Sequence, residues 1–321
     1  MSTISGTIIT NGGLTGTITI GGGSAPVLET ATVKSTNVEQ IVTPEEGVDG
    51  FNEIVVQAVE SEDTLNTLFN TPAGATPTPF EMSDDNAQHT CFGFLNGLNI
   101  TLDSGVKSVE TNAFDRVLAL KSIFGSGVET IKESAFSHTI NLNSASFSSC
   151  KTIQKNAFDS CYNLNTISFP AVETIGESAF WGSTFNNVDF PHCTTIGREA
   201  LGEGGLLTCN LPVCVTLGDR VLHNFKGTTL RLPAVQTMGR QQFRDCENLT
   251  DLYLGYDGVV TVTREEEWDD WEMFPDRGPM TINVHVPAGQ LASYQANAIW
   301  QAIVTASARD NVTIVFVGDY A

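Results

Sequence analysis

The fold of this chain follows from nine residues, Val172-Glu173-Thr174-Ile175-Gly176-Glu177-Ser178-Ala179-Phe180. Versions of this phrase occur seven times in 321 residues, and they begin at Val106, Val128, Cys150, Val172, Cys193, Cys214 and Val235. The first four starts are 22 residues apart, and the last four are 21 residues apart. Such a fixed period predicts a solenoid, because each repeat is one small unit that cannot bury its apolar face alone.

The first, fourth and ninth positions of the phrase are apolar in every copy, as Val172, Ile175 and Phe180 are in the copy quoted. We expect these side chains to face a shared interior. A short alternating run precedes most copies, for example Leu164-Asn165-Thr166-Ile167-Ser168-Phe169. Alternation with period two predicts a strand that is buried on one face. Equivalent strands should stack about 4.8 Å apart in a parallel sheet.

The sixth position carries charges whose sign alternates along the repeats, in the order Glu133, Lys155, Glu177, Arg198, Asp219 and Arg240. Stacked repeats would place these side chains in one row, where each charge has neighbours of opposite sign. Each exposed pair contributes only about 0.2–1 kcal/mol. We therefore expect the row to fix the register of the repeats more than to stabilise them.

The phrase resembles the BspA-like leucine-rich repeats, whose pattern is V-x-x-I-G-x-x-A-F followed by L-x-x-[IV]-x-[FL]-P. Val172 to Phe180, followed by Phe185 to Pro191, is similar to this pattern, and the resemblance covers about residues 92–300. The C-terminal ending of the family is approximated by Val286-Pro287, Leu291, Tyr294 and Trp300. The resemblance implies adhesion or protein binding and no catalysis. We predict a mainly β leucine-rich-repeat solenoid of about seven turns with a C-terminal cap.

The chain is strongly acidic, because 37 Asp and Glu against 16 Lys and Arg give a formal net charge of −21. This charge argues against nucleic acid and anionic membrane surfaces as partners. Residues 1–20 lack the basic start and the apolar core of a secretory signal, and no run of 18 apolar residues predicts membrane insertion. We expect synthesis in a reducing cytoplasm.

Three of the seven cysteines, Cys150, Cys193 and Cys214, occupy the first position of the phrase, where other copies have Val. We expect them to be small buried apolar residues. No cysteine or histidine spacing indicates a metal site, and no catalytic or phosphate-binding motif occurs. The sequence therefore predicts no enzyme, no cofactor and no metal, with five surface histidines: His89, His138, His192, His223 and His285.

The N-terminal part divides into three segments. Residues 1–25 are Gly-rich, and Asn11-Gly12-Gly13 between two β-branched runs predicts a hairpin that is either an anchor or a tail. Residues 26–60 form a small β module that resembles modules of bacteriophage tail and fibre proteins. Residues 61–90 read as a Pro-rich linker.

The solenoid is expected over residues 91–254, and a degenerate repeat with a C-terminal cap over residues 255–321. Within the cap, a last strand is predicted at 282–286, an amphipathic helix at 287–303 and a closing strand at 312–317. Residues 264–274 combine acidic and aromatic side chains. They are either a solvated loop with its aromatic side chains tucked into the core, or a patch for a cationic or carbohydrate partner.

Outward strand positions should stack into two polar rows. The distinctive members of one row lie toward its C-terminal end, and they are Asp189, Asn210, Arg231 and Tyr253. These four residues are the predicted ligand-binding site, and a plain solvated sheet face is the alternative.

Two functional hypotheses follow from these patterns. The first is a bacteriophage structural protein, located in the virion, in a tail, fibre or head decoration. Residues 1–60 would contact other virion proteins, and the solenoid would contact a host surface protein or glycan. The second is a bacterial cell-surface adhesin, and an intracellular scaffold is the least favoured reading. The sequence leaves open whether the protein is a homo-oligomer.

Overall fold

The structure is a computed structural model that describes side chains in residues 100–102, 106–117, 120–201, 204–263, 273–275 and 278–320. Before residue 100 it describes the backbone of strands only. The chain divides into two compact units, Met1–Phe169 and Pro170–Ala321. Within the described residues, no helix has the length and apolar character needed to cross a membrane.

Among the residues that the structure describes, the first unit begins with the strands β1 Ser2–Thr10, β2 Thr15–Gly22, β3 Leu28–Ala31, β4 Lys34–Ser35, β5 Val38–Glu39, β6 Val42–Pro44 and β7 Glu53–Val56. β1 and β2 pair antiparallel, and they form a sheet in the order β2-β1-β5-β4. β3 pairs antiparallel with β6. The turn predicted at Asn11-Gly12-Gly13 and the linker at 61–90 lie outside the described residues.

The repeats of the first unit supply two sets of parallel strands. One set continues from β7 through β8 Leu98–Leu102, β10 Leu120–Gly125, β12 Ser144–Ser146 and β14 Thr166–Ser168. The other set contains β9 Ser108–Val109, β11 Thr130–Ile131 and β13 Thr152–Ile153. Paired residues such as Ser144 and Thr166 are one repeat apart. This is the predicted coil of parallel strands.

The second unit continues the same pattern. The short strands β15 Thr174–Ile175, β17 Thr195–Ile196, β19 Thr216–Leu217, β21 Thr237–Met238 and β23 Thr261–Val262 pair in parallel. The other set comprises β16 Asn187–Asp189, β18 Thr208–Asn210, β20 Thr229–Leu232, β22 Asp251–Leu254, β24 Met280–Pro287 and β25 Val312–Tyr320. β16 pairs with β18, and β20, β22, β24 and β25 form one parallel sheet. The predicted leucine-rich-repeat solenoid of about seven turns is confirmed.

The interior includes the apolar positions identified in the phrase, together with inward-facing residues of the strands. Phe114, Phe136 and Phe158 are fully buried and stack ring on ring, with centroids 5.1 and 4.8 Å apart. The first-position cysteines Cys150 and Cys193 are also fully buried, and burial raises the pKa of each thiol to about 12. They therefore behave as the small apolar residues that the sequence predicted.

The turn after each short strand places its seventh-position residue in left-handed backbone. The seventh position has a φ between 51° and 58° in every copy, at Asn112, Ser134, Asn156, Ser178, Glu199, Arg220 and Gln241. Left-handed backbone costs a non-glycine residue about 1–2 kcal/mol. Hydrogen bonds to the following repeat offset this cost, as when Asn112 N donates to Glu133 O and Phe114 N donates to Ala135 O. The turns are therefore bonded from repeat to repeat, as the strands are.

The charge row expected at the sixth position contains an ion pair between Arg240 and Asp219, at 3.3 Å from Nε to Oδ2. A second ion pair joins two residues at the seventh position of the phrase, where Arg220 Nη1 is 3.2 Å from Glu199 Oε1. Both pairs join successive repeats. This arrangement fits a role in register.

Glycine at the fifth position allows close approach of successive repeats in the second unit. A Cβ placed on Gly218 would lie 2.5 Å from the backbone N of Arg198 and 2.7 Å from the carbonyl carbon of Gly197. Both neighbours are backbone atoms, which cannot move aside as a flexible side chain would. Gly197 would meet the backbone of Glu177 in the same way, at 2.6 Å.

Gly218→Ala is therefore expected to lower the free energy of unfolding by about 1–3 kcal/mol, the usual cost of overpacking. Urea denaturation followed by circular dichroism measures this change. Gly289→Ala is the matched control, because a Cβ there meets nothing within 4 Å. Equal stabilities of the two variants would contradict the close approach.

The C-terminal part is a parallel crossover between β24 and β25. A 3-10 turn at Ala288–Gln290 and helices at Leu291–Ala296 and Ala298–Arg309 lie between these strands. The single helix predicted for 287–303 is wrong, because Asn297 has an extended ψ of 122° and interrupts it. The Asn297 side chain accepts hydrogen bonds from Ile299 N and Trp300 N, so it caps the second helix.

Candidate binding face

The outward positions of unit two form a polar row on the parallel strands. Asp189 lies opposite Asn210 in the β16–β18 register, and Arg231 lies opposite Tyr253 in the β20–β22 register. Asp189, Asn210 and Arg231 are exposed, while Tyr253 is half-buried. The structure thus places each of the four predicted residues on the outward face. Their role in binding stays a prediction.

Hydrogen bonds fix the first part of the row. Asn210 Nδ2 donates to Asp189 Oδ1 at 2.7 Å. In the neighbouring row, Thr208 Oγ1 donates to Asn187 Oδ1 at 2.6 Å. Both bonds join residues of adjacent strands, so these exposed polar groups are held in place before any ligand arrives.

The second part of the row is a stack of planar groups. Arg231 Cζ lies 3.8 Å from the centroid of the Tyr253 ring, within the range of a cation–π contact. The other face of Tyr253 meets the His285 ring, with centroids 4.1 Å apart and planes 9° from parallel. His285 lies opposite Tyr253 in the β22–β24 register. The stack extends the predicted row by one residue.

His285 was predicted to be an ordinary surface residue, and that prediction is wrong. Its ring is buried, with Nδ1 at 2.7 Å from Asp319 Oδ1 and Nε2 at 3.0 Å from Asp251 Oδ1. An ionised carboxylate only accepts hydrogen bonds, and both ring nitrogens can donate at once only when the imidazole is protonated, so the two carboxylates favour the positively charged ring. The cluster ties β22, β24 and β25 together.

The environment of this cluster shifts two pKa values in opposite directions. Burial opposes protonation of His285, but the hydrogen bonds and charges of Asp251 and Asp319 outweigh it and raise the pKa of His285 above 6.5. Hydrogen bonds from His285, Thr250 and Asn283 lower the pKa of Asp251 below 3.8. Each shift stabilises the charged form of its group in the folded chain.

The cluster should therefore stabilise the fold most between about pH 4 and pH 6.5. The stabilisation from His285 is complete below its unfolded pKa of about 6.5, and it is lost as the pH rises through the higher folded value. The stabilisation from Asp251 is lost only as the pH falls through the lowered pKa of this carboxyl.

We expect His285→Gln to cost about 1–2 kcal/mol near pH 5.5, and less near pH 8.5, because the charged hydrogen bonds exist only while the ring is protonated. Urea midpoints across this range measure the difference from the unaltered chain. The exposed His192 supplies a control, since His192→Gln should leave the midpoint nearly constant. A cost that does not change with pH would contradict the charged cluster.

The corresponding rows of the first unit are less distinctive. Ser146 and Ser168 occupy the outward positions there, next to Phe124, which is 43% exposed. Within the described residues, no cluster of three or more His, Cys, Asp or Glu side chains could hold a metal ion. The face of unit two offers hydrogen-bond donors, acceptors and one stacked cation, which can recognise a polar ligand.

The acidic-aromatic segment at 264–274 lies mostly outside the described residues. Its last two members, Met273 and Phe274, are buried, and the Phe274 ring stacks on Phe243 with centroids 5.4 Å apart. These two side chains belong to the core, as the solvated-loop interpretation expects of the segment's apolar groups.

A family model of the BspA-type leucine-rich repeat region, in six copies, matches residues 86–208 and 173–263. The match begins after residue 60, so it gives no support to the phage-like module predicted for residues 26–60. A comparison with curated proteins finds no match.

The solved structures that resemble the chain include three at 13–15% identity. A leucine-rich repeat protein of Bacteroides ovatus is 15% identical with a TM-score of 0.29, covering 82% of this chain and 85% of its own. A leucine-rich cell surface protein of Faecalibacterium prausnitzii is 14% identical with a TM-score of 0.36, covering 82% and 76%. The pneumococcal vaccine antigen PcpA is 13% identical with a TM-score of 0.24, covering 93% and 98%.

Proposed function

This chain belongs to the BspA-type leucine-rich repeat family, and we propose that it is a non-enzymatic adhesion protein. Its binding surface is the outward row of Asp189, Asn210, Arg231 and Tyr253. The observation that carries this proposal is the stack of Arg231, Tyr253 and His285 on adjacent strands, next to the hydrogen-bonded pair of Asp189 and Asn210.

Rigid placement makes this row suited to recognition. Parallel strands hold successive side chains about 4.8 Å apart, and the contacts along the row already restrict their rotamers. A ligand that binds to fixed side chains loses less free energy to ordering than one that binds to mobile ones. The neighbouring polar row, with Asn187, Thr208 and Asp251, widens the same face.

In this proposal the protein binds a cell from the outside. Of the two locations, we favour display on a bacterial cell surface. The repeats support membership of the family, whereas residues 26–60 gain no support as a phage module. Incorporation into a virion through residues 1–60 is the other location, and it rests on the sequence pattern alone.

Binding of the labelled full chain to bacterial cells tests the proposal. Arg231→Ala with Tyr253→Ala should weaken binding at least tenfold, because it removes both the cation and its support. The control is Arg309→Ala with Tyr162→Ala, which removes the same groups at exposed positions away from the row. Circular dichroism checks that each variant is folded. Arg231→Gln alone should also weaken binding, because it removes the cation and leaves the Tyr253 ring in place.

Unchanged binding by folded row variants would contradict the proposed surface. Mass spectrometry of separated envelope fractions and purified phage particles from the source culture decides the location. Finding the chain in envelopes and not in particles supports a cell-surface adhesin. Finding it in particles establishes the virion alternative, in which a chain lacking residues 1–60 should fail to be incorporated.

A further inference from the structure

The guanidinium N–H groups of Arg231 are available to an external hydrogen-bond acceptor. Three other arginines of unit two, Arg198, Arg220 and Arg240, each lie within 3.4 Å of a carboxylate oxygen. Arg231 has no such partner among the described residues, although the chain carries a net charge of −21. Its guanidinium is exposed and is held over the Tyr253 ring.

A stacked guanidinium presents its N–H groups at its edge, where they can bind a carboxylate through two parallel hydrogen bonds. The Tyr253 hydroxyl has no hydrogen-bond partner within the described part of the chain, so it can serve as a further donor. This end of the row therefore offers donors to an anion.

The other end of the row offers acceptors. Asp189 uses Oδ1 to accept from Asn210, and the Asn210 side chain retains its carbonyl oxygen for another donor. Asp189 and Arg231 are two repeats apart, which corresponds to about 10 Å at the spacing of parallel strands. Acceptors and donors thus occur at opposite ends of one exposed strip.

We infer that this strip binds an acidic polysaccharide, with a uronate carboxylate on Arg231 and sugar hydroxyls on Asp189 and Asn210. This inference rests on the proposed function, since it specifies the ligand of the same row. A saccharide chain carries hydroxyl donors beside carboxylates, and it therefore matches both ends of the strip.

An acidic peptide fits the strip less well. Its carboxylates would lie close to the exposed Asp189 carboxylate as well as to Arg231, and like charges at short range repel. The net charge of the chain disfavours densely anionic polymers for the same reason. A glycan in which uronates are separated by neutral sugars satisfies Arg231 with the least repulsion.

The test measures binding of the full chain to hyaluronan, in which uronates alternate with neutral sugars, and to carboxyl-reduced hyaluronan. Polygalacturonate and alginate, which carry a carboxylate on every sugar, are the densely anionic comparisons. The unaltered chain should bind hyaluronan more tightly than polygalacturonate or alginate, and carboxyl reduction of hyaluronan should weaken its binding about tenfold or more. Arg231→Gln should cause a similar loss, and Arg231→Lys a smaller one, because Lys keeps the charge without the planar edge. Arg309→Gln removes the same charge away from the row and should change nothing.

Several results would overturn the inference. They are an absence of binding to hyaluronan, equal binding to its carboxyl-reduced form, or binding that Arg231→Gln leaves unchanged. Poly-glutamate binding that depends on Arg231 and exceeds uronate binding would assign the strip to acidic peptides instead. If cell binding depends on Arg231 while uronate polymers fail, this inference falls and the proposed function stands. If neither depends on Arg231, both fall.

Discussion

Replacing Phe136 by Ala is expected to lower the free energy of unfolding by about 3–5 kcal/mol. The Phe136 ring is fully buried, and it stacks between Phe114 and Phe158 with interplanar angles of 4° and 8°. Phe147 also contacts it, with centroids 6.1 Å apart. Alanine would leave a cavity lined by three aromatic rings, which the rigid repeats cannot close.

Urea denaturation followed by far-ultraviolet circular dichroism measures this loss. Tyr162→Ala is the control in the same unit, because the Tyr162 side chain is 56% exposed. That variant should change the stability by no more than about 0.5 kcal/mol. A loss below about 1 kcal/mol for Phe136→Ala would show that the ring column does not support the fold.

A comparable loss, about 3–5 kcal/mol, is expected for Trp300→Ala in the C-terminal part of unit two. Trp300 is fully buried, and its Nε1 donates a hydrogen bond to Val260 O at 3.0 Å. The substitution removes a large apolar side chain and leaves a buried carbonyl without its donor.

A substitution of Tyr294 tests the contribution of hydrogen bonding to the contact between the helices and Val260. Its hydroxyl accepts a hydrogen bond from Val260 N at 3.0 Å, and burial raises the pKa of the phenol to about 12. Tyr294→Phe keeps the ring and removes the acceptor, so it should cost about 1–3 kcal/mol. The exposed Gln295 provides a control through Gln295→Ala. A Trp300→Ala loss no larger than that of the control would contradict the anchoring of the helices on Val260.

The repeat made the interior predictable. Seven copies of one phrase show which positions are always apolar, and the structure buries Val172, Ile175 and Phe180 as expected. The left-handed turns could not be predicted from the sequence, because Glu199 and Arg220 have no preference for left-handed backbone. Hydrogen bonds to the next repeat impose it there, and a local pattern does not report such long-range bonds.

Counting along the repeat period placed the residues of the predicted row correctly, but it did not place His285, which lies after the period ends. Asp189 and Asn210 are one repeat apart, and counting places them side by side. His285 and Asp319 each lie 34 residues from a partner in their cluster, after a helical excursion whose length no repeat specifies. Aligning Val284 with Leu252 as buried strand residues was the one signal that could have placed His285 beside Tyr253.

Hydroxyl-radical footprinting of the full chain, free and bound to isolated bacterial envelopes, tests most directly whether the outward row is the binding surface. The oxidation rate of Tyr253 should fall several-fold on binding, while the rate of Tyr162, exposed in the other unit, should stay the same. Protection of Tyr162 with unchanged oxidation of Tyr253 would place the contact elsewhere and contradict the account.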